Sequence, residues 1–277
     1  MDQIIQALVM GIVQGLTEFL PISSSGHLIL VPYLLGWDVP GSFIDSLAFS
    51  VVLHGGTLLA LLVYFRDDWL RLIPAFFASL RDRSIGNDPD RRLAWLLVAS
   101  TLPAAVIAVF LNDVVESRFR QPGLVAVMLV VGAAILWLAD HWGPRTHRID
   151  RLTVRGAVGI GFAQALALIP GVSRSGISMS AALFAGLDRA DAVRYSFLMA
   201  TPITAMAVAY EALKLVRGEV SGAQPVVLIV GVVASFVSGI VAIALLLRYV
   251  RTRSFNIFVL YRLVLAAVVL AFFLTSR

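Results

Sequence analysis

The sequence contains no cysteine and few charged residues for its length. Of its 277 residues, 14% are charged and 59% are hydrophobic, whereas soluble domains have about a quarter charged and about half apolar residues. The absence of cysteine excludes disulfides and thiolate chemistry, and it leaves the redox compartment open. Because no polar stretch is long enough to form a separate soluble domain, we predict a polytopic membrane protein with a single integral membrane domain over residues 1–277.

The net charge and the N-terminus exclude two further classes. The formal net charge is +5, but the basic residues fall in loops between apolar runs, as membrane topology favours. We therefore expect no nucleic-acid partner. The N-terminus has neither a charged region nor a small-residue cleavage site, so we expect no removable signal peptide.

The apolar runs predict an all-α protein with six transmembrane helices plus two re-entrant helical hairpins. A span needs about 20 mostly apolar residues, and six segments qualify: 44–65, 92–111, 122–140, 190–213, 224–247 and 255–275. Two other apolar regions, 4–36 and 156–186, are interrupted by proline and serine. Each of their halves is too short to cross a hydrocarbon core about 30 Å thick. An interruption at membrane depth has to lie inside protein or beside water.

The two interrupted regions match each other at a constant offset of 150 residues. The matched positions include Gly11 and Gly161, Gln14 and Gln164, Leu16 and Leu166, Ser23 and Ser173, Ser25 and Ser175, Gly26 and Gly176, Gly36 and Gly186, and Asp38 and Asp188. An ungapped match of this length indicates an internal repeat, with repeat A at about 1–140 and repeat B at about 151–277. Three spans separate the hairpins, so we predict inverted-topology repeats with a polar site at their interface.

The distribution of arginine orients the predicted topology. Three arginine-rich loops fall on one side: 66–91, 141–155 and 248–254. The opposite side carries only Arg118, Arg120, Lys214 and Arg217, and its segments 1–3 and 37–43 have no Lys or Arg. The positive-inside rule makes the arginine-rich side cytoplasmic. The first hairpin then enters from outside, the second enters from the cytoplasm, and their tips approach each other.

The first interruption combines a carboxylate with the start of a helix. Glu18 lies four residues after Gln14 and shares its helix face, and an ionisable group at membrane depth is a functional candidate by default. Pro21 ends this helix, and a serine after it is a natural N-cap for the next one. The positive end of that next helix favours an anion. Its first turn supplies Ser23, Ser24, Ser25, Gly26 and His27.

The second interruption supplies an arginine at another helix start. Arg174 occupies the position that Ser24 holds in the first copy, and a guanidinium binds phosphate oxygens through two parallel hydrogen bonds. Arg174 could also neutralise Glu18. Two facing helix N-termini, an arginine and many hydroxyls indicate a phosphate site, in which the second copy contributes Ser173, Arg174, Ser175 and Ser178.

Three other features are assigned structural roles. We predict that His54 is a packed helix residue. Arg262 is predicted either to contact a lipid phosphate or to extend from the cytoplasmic half of its helix towards the membrane surface. Residues 81–92 are predicted to form a solvated connector.

Two motifs, QGLTEFLPISSSGH at 14–27 and PGVSRSGIS at 170–178, resemble the signatures of the undecaprenyl-diphosphate phosphatase family of the bacitracin-resistance type. The resemblance covers nearly the whole chain, including VVLHGGTLLALLVYF at 51–65 and YR at 261–262. It implies a multi-pass enzyme of the bacterial plasma membrane with a divalent cation. Such an enzyme removes the terminal phosphate of undecaprenyl diphosphate at the outer face and so recycles the lipid carrier for cell-wall synthesis.

The resemblance also implies roles for individual residues. Ser24 would be the nucleophile and His27 its acid–base partner, although the residues themselves leave open that His27 activates water or attacks phosphorus. Glu18, with Gln14 and water, would position Mg²⁺ or Ca²⁺. Arg174 completes the expected catalytic set, and the expected phosphate contacts are Ser23, Ser25, Gly26, Ser173, Ser175 and Ser178.

Three positions depart from the family pattern. Gln14 is the neutral option at the first motif position, and Ser178 replaces a threonine while keeping the hydroxyl. Ser50 stands where many relatives carry an acid, so we expect no metal role there.

Two other functions are compatible with parts of the sequence. A transporter or flippase of polyprenyl phosphate is the second hypothesis, because inverted repeats and broken helices at the midplane are transporter features. The soluble acid phosphatase signature needs a histidine after its arginine motif, and no histidine follows Arg174. The sequence leaves a homodimer open.

Overall fold

The computed structural model describes residues 3–37, 46–119, 121–217 and 224–275, and these residues form helices and connecting turns. The match of Asp38 to Asp188 and the start of the 44–65 segment lie partly outside those ranges. Eleven α-helices fall within them: α1 Gln3–Phe19, α2 Ser24–Leu35, α3 Leu47–Tyr64, α4 Arg66–Arg81, α5 Pro89–Arg118, α6 Pro122–Trp142, α7 Val154–Ala165, α8 Arg174–Phe184, α9 Arg189–Val216, α10 Pro225–Tyr249 and α11 Asn256–Thr275.

Helices lie at all six predicted spans, as α3, α5, α6, α9, α10 and α11. Five of them are each long and apolar enough to cross a membrane, and α3 passes the same test together with α4, which gives a sixth. The prediction of an all-α, multi-pass membrane protein is confirmed.

The loop predicted at 66–91 is wrong over its first part, because Arg66–Arg81 is helical and lies at 84° to α3. Although this helix contains several charged residues, one of its faces is apolar. Leu72 is buried, and Trp69 and Phe76 pack against the core. Asp67 and Asp68 in the first turn and Arg81 in the last complement the helix dipole.

Four short helices form the two interrupted regions. The first region consists of α1 and α2, separated by residues 20–23, which we call the first break. The second consists of α7, a single 3₁₀ turn at Leu166–Leu168 and α8, and we call residues 169–173 the second break. The four helices have 17, 12, 12 and 11 residues, about 17–26 Å each. The re-entrant insertion and the inverted repeats stay predictions.

The two breaks have the same local backbone. Ser23 and Ser173 both have positive φ angles, of 76° and 79°, which L-residues rarely adopt. Each is an N-cap whose hydroxyl accepts a hydrogen bond from a glycine N–H three residues on, at 3.2 Å for Gly26 and 3.1 Å for Gly176. Positions that are 150 residues apart therefore have equivalent structures at the two breaks.

Small residues let the short helices approach their neighbours closely. On α1, a Cβ added at Gly11 would overlap the carbonyl of Gly231 on α10. On α7, a Cβ added at Gly161 would overlap the carbonyl of Ser100 on α5. Such contacts between small residues are typical of helix packing in membranes. They hold α1 against α10 and α7 against α5, and Pro21, Ser23, Gly171 and Ser173 in the breaks are buried.

Candidate active site

Glu18, near the end of α1, is the centre of a buried polar cluster. Its Oε1 forms an ion pair with Nη2 of Arg174, at the start of α8. Its Oε2 accepts hydrogen bonds from Ser24 Oγ at 2.6 Å and from Gln14 Nε2 at 3.0 Å. A buried carboxylate needs such donors to offset its lost hydration. The ion pair joins two helices that flank the breaks, α1 and α8, so the structure brings Gln14, Glu18, Ser24 and Arg174 together.

Arg174 has a second partner, Thr204, that no sequence pattern indicated. Its Nη1 donates to Thr204 Oγ1 on α9 at 2.7 Å. Thr204 is 1% exposed, and nothing in its surrounding sequence distinguishes it from a core threonine. The Arg174 side chain remains 22% exposed, so an anion can still reach the guanidinium.

His54 belongs to this cluster, contrary to the packing role predicted for it. Its Nε2 lies 3.4 Å from Glu18 Oε2, and its Nδ1 lies 2.7 Å from the carbonyl oxygen of Ser50. A carbonyl only accepts, so Nδ1 carries a proton, and donation to Glu18 requires a second proton on Nε2. The signal was present in the sequence, because an ionisable side chain within a span is a functional candidate by default.

His27 lies on the other side of the first break and has different partners. Its Nδ1 donates to the carbonyl of Ser23 at 2.7 Å, and its Nε2 lies 2.8 Å from the hydroxyl of Tyr261 on α11. Within the described part of the chain, no hydrogen bond joins His27 to Ser24. The Ser24 hydroxyl donates to Glu18 instead, so this structure lacks the Ser24–His27 contact that the resemblance implies.

Arg262 is fully buried, contrary to both roles predicted for it. Its relative exposure is 0%, so it neither contacts a lipid phosphate nor reaches the membrane surface. Its guanidinium donates to the carbonyl oxygens of Leu129 at 3.1 Å, Pro21 at 3.4 Å, Gly171 at 2.8 Å and Val172 at 2.9 Å. Three of these carbonyls belong to the breaks, where no helix supplies a donor. The Arg262 side chain therefore supplies hydrogen-bond donors to backbone carbonyls of both breaks.

The remaining predicted phosphate contacts have partners within the protein. Ser23 and Ser173 cap α2 and α8, and each lies close to the serine two residues on. The Ser175 hydroxyl donates to the Leu20 carbonyl at 3.0 Å, and Ser178 is buried next to Ser196. The caps engage only one N–H at each helix start, so other first-turn N–H groups stay available to an anion. The phosphate-binding roles of Ser23, Ser25, Gly26, Ser173, Ser175 and Ser178 stay predictions.

The cluster contains few ligands for a permanently bound divalent cation. Among the residues that the structure describes, no three His, Cys, Asp or Glu side chains form a metal-binding group. The Glu18 oxygens are engaged as described above, whereas Gln14 Oε1 is buried without a hydrogen-bond partner. One carboxylate and one amide oxygen give an incomplete shell for Mg²⁺ or Ca²⁺, which would need substrate and water oxygens to complete it. The cation stays a prediction.

Comparison with known proteins gives a consistent result over the whole chain. The family model for "Bacitracin resistance protein BacA" matches residues 7–268. An undecaprenyl-diphosphatase of Gemmatimonas aurantiaca is 47% identical over 266 residues, which cover 96% of each chain. Proteins with the same name from Desulforudis audaxviator and Geobacter sulfurreducens are 46% and 47% identical, and at least 96% of each chain is covered. The region matched by the family model includes both breaks and the first 13 residues of α11, up to residue 268.

Proposed function

This chain belongs to the bacitracin resistance protein BacA family, and we propose that it hydrolyses undecaprenyl diphosphate to the monophosphate and inorganic phosphate, which recycles the lipid carrier for cell-wall synthesis. Relatives named undecaprenyl-diphosphatase that match nearly the full chain support this function. The observation that carries it is the contact of Arg174 with Glu18 beside the Ser24 hydroxyl. In the proposal Arg174 binds the phosphate, Glu18 is the base and Ser24 is the nucleophile, and the contacts among these three side chains support this assignment.

Binding of the diphosphate begins with an exchange of partners at Arg174. The guanidinium releases Glu18 and binds the phosphate oxygens, for which its planar fork is well suited. The N-termini of α2 and α8 add partial positive charge at the same place. These groups also stabilise the charge that develops on the phosphoryl oxygens in the transition state.

Glu18 then becomes free to act as the base for Ser24. As Ser24 Oγ forms a bond to the terminal phosphorus, the hydroxyl proton passes to Glu18 Oε2, 2.6 Å away. The bond from the bridging oxygen to this phosphorus breaks, and undecaprenyl monophosphate leaves. Water then attacks the phosphoserine, the Ser24 Oγ–P bond breaks, and the proton returns to Ser24 as inorganic phosphate is released.

A divalent cation is part of the proposal as an ion that enters with the diphosphate. Bound there, Mg²⁺ or Ca²⁺ would neutralise phosphate charge. Gln14 Oε1 would be its protein ligand, with Glu18 available once Arg174 has moved. We expect chelation to abolish turnover and Gln14→Ala to raise the cation concentration needed for half-maximal activity. Full activity in excess chelator would contradict this part of the proposal.

The proposal is tested by phosphate release from polyprenyl diphosphate by purified protein. We expect Ser24→Ala and Arg174→Ala to lose activity, whereas Ser84→Ala and Arg81→Ala, at exposed positions of the α4–α5 region, keep it. Substrate labelled in its terminal phosphate should transfer label to Ser24 after a rapid acid quench. Near-normal turnover by Arg174→Ala would overturn the phosphate-binding role, and a Ser24→Ala protein that still turns over would overturn the nucleophile.

The flippase hypothesis finds no support in the relatives described above, which are named as phosphatases. Movement of labelled polyprenyl phosphate across liposome membranes without hydrolysis would support the flippase hypothesis.

We further propose that the site opens to the outer face of the bacterial plasma membrane, as the arginine distribution suggests. A homodimer stays a prediction, which light scattering of the detergent-solubilised protein would test.

A further inference from the structure

Both ring nitrogens of His27 have hydrogen-bond partners, and these partners determine which nitrogen carries the proton. Because the Ser23 carbonyl can only accept, Nδ1 carries a proton. In the neutral ring, Nε2 therefore has a free lone pair, and the Tyr261 hydroxyl donates to it across 2.8 Å. The two rings are also stacked, with their centroids 5.7 Å apart and their planes 12° apart. Tyr261 thus donates to the one nitrogen of His27 that carries a lone pair.

The position of Tyr261 is fixed by the residue that follows it. Arg262 donates to carbonyls of both breaks and of α6, so α11 cannot slide or rotate without breaking several buried hydrogen bonds. Tyr261 itself is 43% exposed, whereas His27 is 5% exposed. The hydrogen bonds of Arg262 thus fix the place on α11 from which the Tyr261 hydroxyl reaches the buried His27 ring.

We propose that Tyr261 is a positioning residue for His27, which the family resemblance predicts as a second acid–base group of the phosphatase reaction beside Glu18. The Tyr261 hydroxyl donates to Nε2, which holds the imidazole in the tautomer with hydrogen on Nδ1 and fixes the orientation of the ring. The inference rests on the proposed function, but it is not part of it, because the Glu18, Ser24 and Arg174 cluster has no hydrogen bond to Tyr261 in the described residues.

The first test is Tyr261→Phe, which keeps the ring and removes only the hydroxyl. Tyr33→Phe is a matched control, because Tyr33 also lies near α11, packs edge-on against Phe272 and makes no hydrogen bond through its hydroxyl in the described chain. We expect Tyr261→Phe to lower kcat by roughly 10- to 100-fold, as for other losses of a partner that orients a histidine. KM should change little, and Tyr33→Phe should match the wild type. An unchanged kcat, or a rise in KM alone, would overturn the inference.

The second test asks whether Tyr261 acts through His27. If it does, the double variant His27→Gln/Tyr261→Phe turns over no more slowly than His27→Gln, because the tyrosine has nothing left to position. A further loss of kcat in the double variant would show an independent role and contradict the proposal.

The third test reads the tautomer directly. The chain has four histidines, so ¹⁵N-histidine labelling gives few resonances, and His27 is assigned by its absence from His27→Gln. We expect the Nε2 resonance of His27 to show a hydrogen-bonded lone pair in the wild type and to move in Tyr261→Phe. An unmoved resonance would refute the hydrogen bond. If the wild type released no phosphate, the proposed function and this catalytic role would both fail, while the resonance would still report the contact.

Discussion

At the residue scale, one carboxylate holds the polar cluster together. Glu18 contacts side chains from α1, α2, α3 and α8, so four elements meet at a single group. Removing one partner of a buried ion pair typically costs about 3–5 kcal/mol, because the other charge is left without compensation. The cluster is therefore sensitive to any change that alters its charge.

Arg174→Lys tests whether the shape of the guanidinium matters in addition to its charge. A lysine keeps the positive charge but cannot bridge Glu18 and Thr204 or present two parallel donors to phosphate. We expect kcat/KM to fall by about 100-fold, as for the loss of one donor to a developing oxyanion, with the fold retained. Arg81→Lys, at an exposed position on α4, is the control. Equal kinetics for Arg174→Lys and the wild type would show that charge alone suffices.

His54→Ala and His54→Gln separate the role of His54 as a donor from its role in packing. The alanine variant removes the imidazole 3.4 Å from Glu18, which donates to the carboxylate when both ring nitrogens carry a proton, and hydrogen bonds to charged groups contribute about 1.5–3 kcal/mol. We expect it to unfold at lower temperature and to turn over more slowly. The glutamine variant keeps an N–H donor and should recover much of both losses. Wild-type behaviour of His54→Ala in phosphate release and thermal unfolding would return His54 to the packing role.

At the element scale, Gly132 on α6 makes room for the Arg262 guanidinium. A Cβ at this position would overlap Arg262 Nη2 and would lie 2.6 Å from the Val172 carbonyl oxygen. The absence of a side chain at Gly132 therefore permits the hydrogen bonds that join α11 to the breaks. The helices surrounding the breaks depend on one another through this contact.

Gly132→Ala should destabilise the protein by about 1–3 kcal/mol, because the added methyl displaces the guanidinium or the second break. Gly159→Ala on α7 is the matched control, since its Cβ would meet nothing within 4 Å. Replacing a helical glycine by alanine without a clash stabilises by about 1 kcal/mol. Thermal unfolding in detergent should therefore shift in opposite directions for the two variants. A shift in the same direction would contradict the contact between Gly132 and Arg262.

Sequence patterns predicted the elements better than their contacts. The apolar runs predicted the spans, and Pro21 predicted the first break. Both signals are local, because a span depends on the length of one apolar run and a helix end depends on the N–H group that proline lacks. The same criteria missed α4, whose apolar residues are interspersed with charges. They also misassigned His54 and Arg262, because a partner across the bundle depends on which face each helix turns inward. The link between Glu18 and Arg174 was foreseen only because the repeat placed both in broken helices.

At the scale of the whole molecule, the predicted orientation is open to a direct test. The chain has no cysteine, so single cysteines can be introduced without background. We expect Gln224→Cys, at the start of α10, to react with a membrane-impermeant thiol reagent in intact cells. Ser84→Cys, between α4 and α5, should react only after permeabilisation, because arginine-rich loops face the cytoplasm. The reverse pattern would place the site on the cytoplasmic side.

The contacts of Arg262 have a consequence for how the protein is made. Its partner Pro21 lies 241 residues earlier in the chain, and ribosomes add about 5–20 residues per second. For roughly 12–48 s after its synthesis, the first hairpin therefore exists without the donor that satisfies its exposed carbonyl. The nascent chain has to shelter that hairpin, in the insertion machinery or beside water, until its final helix arrives.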